Sequence, residues 1–375
     1  MQKENLLIVA DSDHDADMLY AVRMFVPDPF IYFRHEGKPH IVVSDLEYDR
    51  ARKHAKHCKV LSFPHYQQVA KRNGTKRPGM AHVIRSVLKE RGIKKINVPS
   101  SFPYGLAKQL RDLKVKVKIT GACFPERELK SSEELKKISA ALMMAEVGLA
   151  EGIEALKRSK VAKDGRLFRN NTPLTSERLR AIIDTAIIQA GGLASHTIVA
   201  GGNQACDPHE QGYGALKANQ PIILDVFPRS QRTGYFGDIT RTVVKGRASD
   251  SVRKMYEAVA KGQEIAFGKL GPGRSGQEVH KGVKIFFDGS GFKTGKIKGR
   301  MQGFFHGTGQ GVGLEIHEAP RLGQTSSDLL KAGHVVTIEP GLYYPGIGGI
   351  RLEDMAYLTK KGPVNLTQFE KSLEV

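Results

Sequence analysis

Four acidic residues lie inside apolar, strand-like runs in the C-terminal two-thirds of this 375-residue chain. Asp225 follows "PIIL", Asp238 stands between "GYFG" and "ITRT", Glu339 follows "HVVTI", and Glu353 sits in "GGIRLEDM". One such acid is ordinarily a strand-end cap or an edge charge. Four in one stretch ask for another explanation, because a buried carboxylate is costly unless it is paired or bound to a metal. If the four converge, a divalent cation offsets their mutual repulsion best.

The spacing supports convergence in pairs. Asp225 and Asp238 are separated by "VFPRSQRTGYFG", whose turn-forming residues suit a hairpin that sets both acids on neighbouring strands. Glu339 and Glu353 are separated by the equally turn-rich "PGLYYPGIGGIRL". Each pair could supply half of one cage, and a two-metal site needs bridging carboxylates of this kind. Histidines stand beside the acids. His306 and His317 flank a glycine-rich stretch in "FFHGTGQGVGLEIHE", and His209 lies in "NQACDPHEQGYG", just ahead of the Asp225 run. Glycines let a backbone pass close to a ligand. The same stretch lacks the Lys-Ser/Thr ending of a phosphate loop, and no helix signal follows it.

The elements that must hold these residues fall into two groups. Up to about residue 127, strand-like runs ("LLIVAD", "PFIYFRHEGKPHIVVSD", "KVLSF", "KKINVP", "KVKVKI") alternate with helix-like ones ("LEYDRARKHAKH", Pro78 to Glu90, "YGLAKQLRDL"). That alternation predicts a small α/β domain over residues 1–127. A second domain, 128–375, opens at Ser131, which has Glu134 three residues on in the capping-box pattern. Behind it Leu135, Ile138, Leu142, Ala145, Leu149 and Leu156 recur at helical spacing. A second helix starts at Thr175 and stops at Gly191-Gly192. Helices near 251–269 and 276–287 follow, and strand-like runs fill the rest. Helices and strands in separate runs predict an α+β domain rather than a βαβ barrel.

Composition sets broad limits. With 40% hydrophobic and 26% charged residues the chain is ordinary for a globular protein, and no apolar run reaches the ~18 residues of a membrane span. The apolar stretch after Met1 is too short for a secretory signal, and Cys58, Cys123 and Cys206 lie far apart, so a cytoplasmic, reducing location is expected. The net charge of +19 comes from Lys and Arg spread along the chain rather than blocked into a tail. With no nucleic-acid module or aromatic-interleaved basic motif, it reads as a solvated basic surface and argues against nucleic acid as the partner.

At the acids and histidines the chain resembles a known family. "DITRT", "HG-x-G-x-G-x-G-L-x-x-HE", "EPG" and "R-x-ED" occur in the order found in the M24 "pita-bread" metallopeptidases: Xaa-Pro aminopeptidases, prolidases, methionine aminopeptidases and creatinases. The resemblance covers essentially the whole chain. It implies a pita-bread C-terminal domain preceded by a creatinase/prolidase-type N-terminal domain. It also implies metal-ligand positions at Asp225, Asp238, Glu339 and Glu353. His209, His306 and His317 match active-site histidines, His209 near the scissile bond and His317 steadying the tetrahedral intermediate. Arg351 matches an arginine that orients the carboxylates.

Two departures stand out. The two aspartates are two residues further apart than is usual, an even insertion that keeps strand alternation. The fifth ligand, normally a histidine seven residues before His317, is Gln310. An amide oxygen is a harder and weaker ligand than imidazole and biases the site toward Mn, Mg or Ca over Zn or Co. The expected function is hydrolysis of an Xaa-Pro peptide bond by a metal-bound hydroxide, with two divalent ions, Mn foremost. The expected partners are a peptide with proline second and a second copy of the chain in a homodimer. The alternatives are a catalytically impaired binding protein on the same fold, which Gln310 motivates, and a metal-free creatinase-like hydrolase.

Overall fold

The computed structural model describes residues 5–375. The chain divides into two compact units, with the division between Arg127 and Glu128.

The first unit is built on a six-stranded mixed sheet. Across it the strands run Lys59–Ser62, Lys38–Val43, Phe30–His35, Leu6–Ala10, Lys95–Val98 and Lys116–Ile119. The period-two alternation of the strands sends Leu7, Val9, Ile31, Phe33 and Val42 to one face, against the helices Phe63–Arg72, Met80–Glu90 and Tyr104–Asp112. Leu6, Ile8, Tyr32, Ile41 and Val43 go to the other, against Ala16–Val22 and Asp45–His54. Two of these helices, Ala16–Val22 and Phe63–Arg72, are not anticipated by the sequence reading. Asp15 and Ser62 start them, each accepting a hydrogen bond from a backbone N–H in the first turn.

The second unit is α+β. Its first helix, Ser132–Lys157, begins with the Ser131–Glu134 capping box, and Thr175 caps the second, Ser176–Gln189. Asp250–Lys269 and Gly276–Gly289 are the other long helices. A three-stranded antiparallel sheet orders Ile198–Gly201, Pro221–Val226 and Ile239–Val244. A five-stranded sheet orders Glu318–Leu322, Gly309–Gly311, Val335–Ile338, Asp354–Thr359 and Gly362–Asn365. An antiparallel bridge between Thr240 and Glu353 stitches the two sheets together. Every residue of Pro221–Val226 and Ile239–Val244 is buried, so acids placed on these strands are buried with them.

Candidate metal centre

Strand register brings the acids together. Asp225 pairs with Thr240 across the antiparallel strands, and Asp238 is two residues before Thr240. In a pleated strand that spacing keeps one face, so Asp225, Thr240 and Asp238 share it. In the segment between the aspartates Arg229–Ser230 pairs with Gly192–Leu193, and the pairing of Pro221–Val226 with Ile239–Val244 runs unbroken through Asp225. Glu339 follows the strand Val335–Ile338 and Glu353 precedes Asp354–Thr359. Because Ile338 pairs with Asp354, the two glutamates end facing strands. A separate hairpin, Gly341–Tyr344 with Gly348–Arg351, is inserted between them.

Asp225, Asp238 and Glu353 each offer a carboxylate oxygen within 4.8 Å of the others, a group able to hold a metal ion. All three are buried, Glu353 to 2% exposure, and Gln310 and Arg351 are buried beside them. Thr240 donates its hydroxyl to Glu353 Oε2 at 2.7 Å. Thr337 Oγ1 donates to Glu339 Oε1 at 3.1 Å and accepts the Gln310 backbone N–H at 3.1 Å. Arg351 donates to Asp225 Oδ2 at 2.6 Å and to the Tyr343 hydroxyl at 3.0 Å. Asp225 Oδ1 is buried and meets no hydrogen-bond partner. An unpaired buried carboxylate oxygen inside an acidic cluster is the arrangement a cation would satisfy.

The electrostatics agree. Burial, then the neighbouring Glu353, Asp225 and Glu339, holds the Asp238 carboxyl well above its ordinary range. Burial does the same for Glu353, reinforced by Glu339 and Asp225. Burial lifts Glu339 to about 7, with Arg351 and hydrogen bonds from Thr337 and Gln310 pulling the other way.

The histidines divide. His209 and His317 are exposed at the mouth of the cavity above the acids. Partial burial of its ring, then nearby Arg321 and His209, lowers the pKa of His317. His306 is committed at both ring nitrogens. Its Nδ1 lies 2.7 Å from the Gly307 carbonyl, which can only accept, so Nδ1 carries the proton. Its Nε2, 2.8 Å from the Tyr343 hydroxyl, is therefore the acceptor, while that hydroxyl accepts from Arg351. Burial, then Arg351, pushes His306 down to about 3, so the ring is neutral. A single relay thus runs Arg351–Tyr343–His306 behind Asp225. Sequence reading passes over Tyr343 and Thr240 as site residues. Thr240 lies in the quoted "DITRT", whereas Tyr343 carried no signal beyond its place in a strand-like run.

The cavity over this floor has a volume of about 640 Å³. Ile198, Phe227, Phe305 and Ile316 give it apolar walls, and the acids, His209 and His317 converge on it. A pocket of this size suits a small organic ligand or a short peptide.

A carboxylate cage beneath such a cavity, on this arrangement of sheets and helices, defines a metal-dependent hydrolase. Comparison with known proteins narrows the class. Residues 136–360 match the model of metallopeptidase family M24. An Xaa-Pro dipeptidase from Pyrococcus horikoshii is 30% identical over 289 residues, 75% of each chain. One from Pyrococcus furiosus is 28% identical over 340 residues, 89% of this chain and 85% of its own. An X-Pro aminopeptidase from Thermotoga maritima has the same fold, with a TM-score of 0.82 and 22% identity over 99% of this chain and 97% of its own. The chain belongs to metallopeptidase family M24, and its fold is the pita-bread fold behind a smaller α/β unit.

Proposed function

We propose that this metallopeptidase hydrolyses the bond between an N-terminal residue and a following proline, in a dipeptide or a longer peptide. The observation that carries the reading is the convergence of Asp225, Asp238 and Glu353, with Glu339 beside them, on the floor of a substrate-sized cavity. Asp225, Asp238, Glu353 and Glu339 would hold divalent metal, with Gln310 offering its amide oxygen as the fifth ligand. The orphaned Asp225 Oδ1 and the oxygen-only donor set fit a hard cation, Mn foremost. Bound metal would supply Lewis-acid polarisation of the carbonyl and a lowered water pKa.

The side chains divide the remaining work. Glu339, on the cavity floor beside the other acids, can take the proton of the attacking water and return it to the prolyl nitrogen, which leaves as a secondary amine and needs one. His209 and His317, at the cavity mouth, can donate hydrogen bonds to the developing oxyanion. Arg351 orients Asp225. His306, with both nitrogens engaged, fixes the Tyr343 hydroxyl rather than touching substrate. The apolar wall of Ile198, Phe227 and Phe305 suits a pyrrolidine ring.

Gln310 favours one second reading: a cage that binds metal without turnover. Its amide oxygen, a weaker ligand than imidazole, would leave one metal position weakly held. Purified protein supplied with Mn and Ala-Pro separates the two. Release of alanine, abolished in Glu339→Gln, supports the peptidase. Bound metal without release from Ala-Pro or from a longer Ala-Pro peptide supports the second reading.

A further inference from the structure

The first unit has a charge distribution that the peptidase site does not use. Residues 63–119 contain 14 Lys and Arg against two acids, Glu90 and Asp112. The fold collects much of this charge at one end of the six-stranded sheet. Five of the six strands run in the same direction, because the Lys38–Val43 strand is parallel to Lys59–Ser62 and Leu6–Ala10, Lys95–Val98 and Lys116–Ile119 are parallel in turn. The Phe30–His35 strand is antiparallel to both of its neighbours and so joins the two groups in one direction. Their starts therefore lie together, and four of the five start on a lysine: Lys38, Lys59, Lys95 and Lys116.

Lys94 and Lys114 immediately precede two of those strands. Lys95 and Lys116 face each other in register. All six are exposed. Lys89 and Arg111 close the last turns of the helices that lead into this end. Among the described residues none of these eight cations makes an ion pair within 4 Å, whereas Glu90, one of the few acids nearby, is occupied by Arg91 and the Tyr66 hydroxyl.

We propose that this lysine rim is a docking strip for the phosphate backbone of duplex nucleic acid. Six strands at ~4.8 Å make a strip roughly 24 Å long. At about 3.4 Å of rise per phosphate on one strand, that length faces about seven phosphates. The strip has no exposed large apolar side chain. Those of this unit, Leu46, Tyr104 and Ile119, lie at or beyond the opposite ends of the strands. A bilayer surface would be gripped by apolar side chains beside the cations. A row of ammonium groups, with the acid Glu36 in the turn before Lys38, suits phosphodiesters, and with no exposed large aromatic to stack on bases it recognises backbone rather than sequence.

The test uses the full chain and a fluorescent mixed-sequence DNA duplex of about 20 base pairs, read by anisotropy between about 50 and 200 mM salt. Wild type is expected to bind with a slope of log K against log salt near −5, for about six phosphates neutralised. Replacing Lys59, Lys95 and Lys116 with Gln should weaken binding about 10-fold or more and reduce the slope by about three. The control replaces Lys254, Lys281 and Lys298, exposed lysines of the second unit, with Gln and should change neither. Matching melting curves verify that all three proteins are folded. Equal weakening by both triple variants overturns the strip, since net charge alone then explains binding. So does the absence of duplex binding at low salt, or preferred binding to phosphatidylserine vesicles.

Discussion

Arg351→Met exposes the electrostatic logic of the site. The guanidinium is buried to 3% exposure and donates to Asp225 and Tyr343. It also holds down the carboxyls of Asp238, Glu339 and Glu353. Methionine keeps most of the stem and removes the charge. Deleting one partner of a buried ion pair costs about 3–5 kcal/mol. Here the remaining carboxylates can take up protons, which puts the cost near 3 kcal/mol. For a unit of this size, each kcal/mol moves Tm by about 2–4 °C, so metal-free Arg351→Met should melt about 6–12 °C below wild type. A divalent cation takes over the lost charge and, with no guanidinium opposing it, binds the variant more tightly, so at one Mn concentration the variant gains more than wild type, about 2.7 kcal/mol at 100 times its own Kd. Scanning calorimetry with chelator and then with Mn reads both effects. Equal melting of the two proteins in chelator would refute the reasoning, as would a Mn shift no larger in the variant than in wild type.

Three further outcomes follow from the same structure. Gln310→His, which offers imidazole in place of an amide, should raise the number of ions bound per chain and shift preference toward Zn or Co; titration calorimetry with unchanged stoichiometry and metal order would contradict this. His334 is buried, accepts the Lys331 N–H, and is pushed to about 4 by burial and then by Lys130 and Lys331. Its folded pKa lies below the unfolded value of about 6.5, so its stabilisation is complete above that value and is lost as pH falls toward 4, by about 2 kcal/mol at pH 5. His334→Gln should remove that share of the pH dependence in urea unfolding. Gly309→Ala would put a Cβ 1.9 Å from the Thr337 carbonyl oxygen, prising the Gln310 strand from its neighbour. A loss of about 1–3 kcal/mol with weakened Mn binding is expected, measured by melting and by metal titration.

The sequence carried the acids that converge at the site better than the wiring around them. Acids inside apolar runs were legible because a strand buried on both faces has no other reason to hold a carboxylate. Parity made the Asp225–Asp238 pairing legible, since an even insertion cannot move an acid to the other face. The approach of Glu339 to Glu353 was legible from the turn-rich residues between them, but not that those residues form a hairpin of their own, Gly341–Tyr344 with Gly348–Arg351. Tyr343 was invisible because its importance lies in what Arg351 and His306 do on either side of it. The helices Ala16–Val22 and Phe63–Arg72 are short, and their caps emerge only with the backbone in place. The lysine rim was hidden for a different reason. Lysines about twenty residues apart look dispersed in the chain, yet successive parallel strands start at the same edge of the sheet.

The central claim is that Asp225, Asp238, Glu339 and Glu353 form a metal cage. Anomalous scattering from a crystal soaked in Mn measures this directly. A peak is expected between the carboxylates of Asp225, Asp238 and Glu353, the group whose oxygens already lie within 4.8 Å of one another, with any second, weaker peak beside Glu339 and Gln310. Manganese bound elsewhere on the chain, with no peak among these four acids, would contradict it.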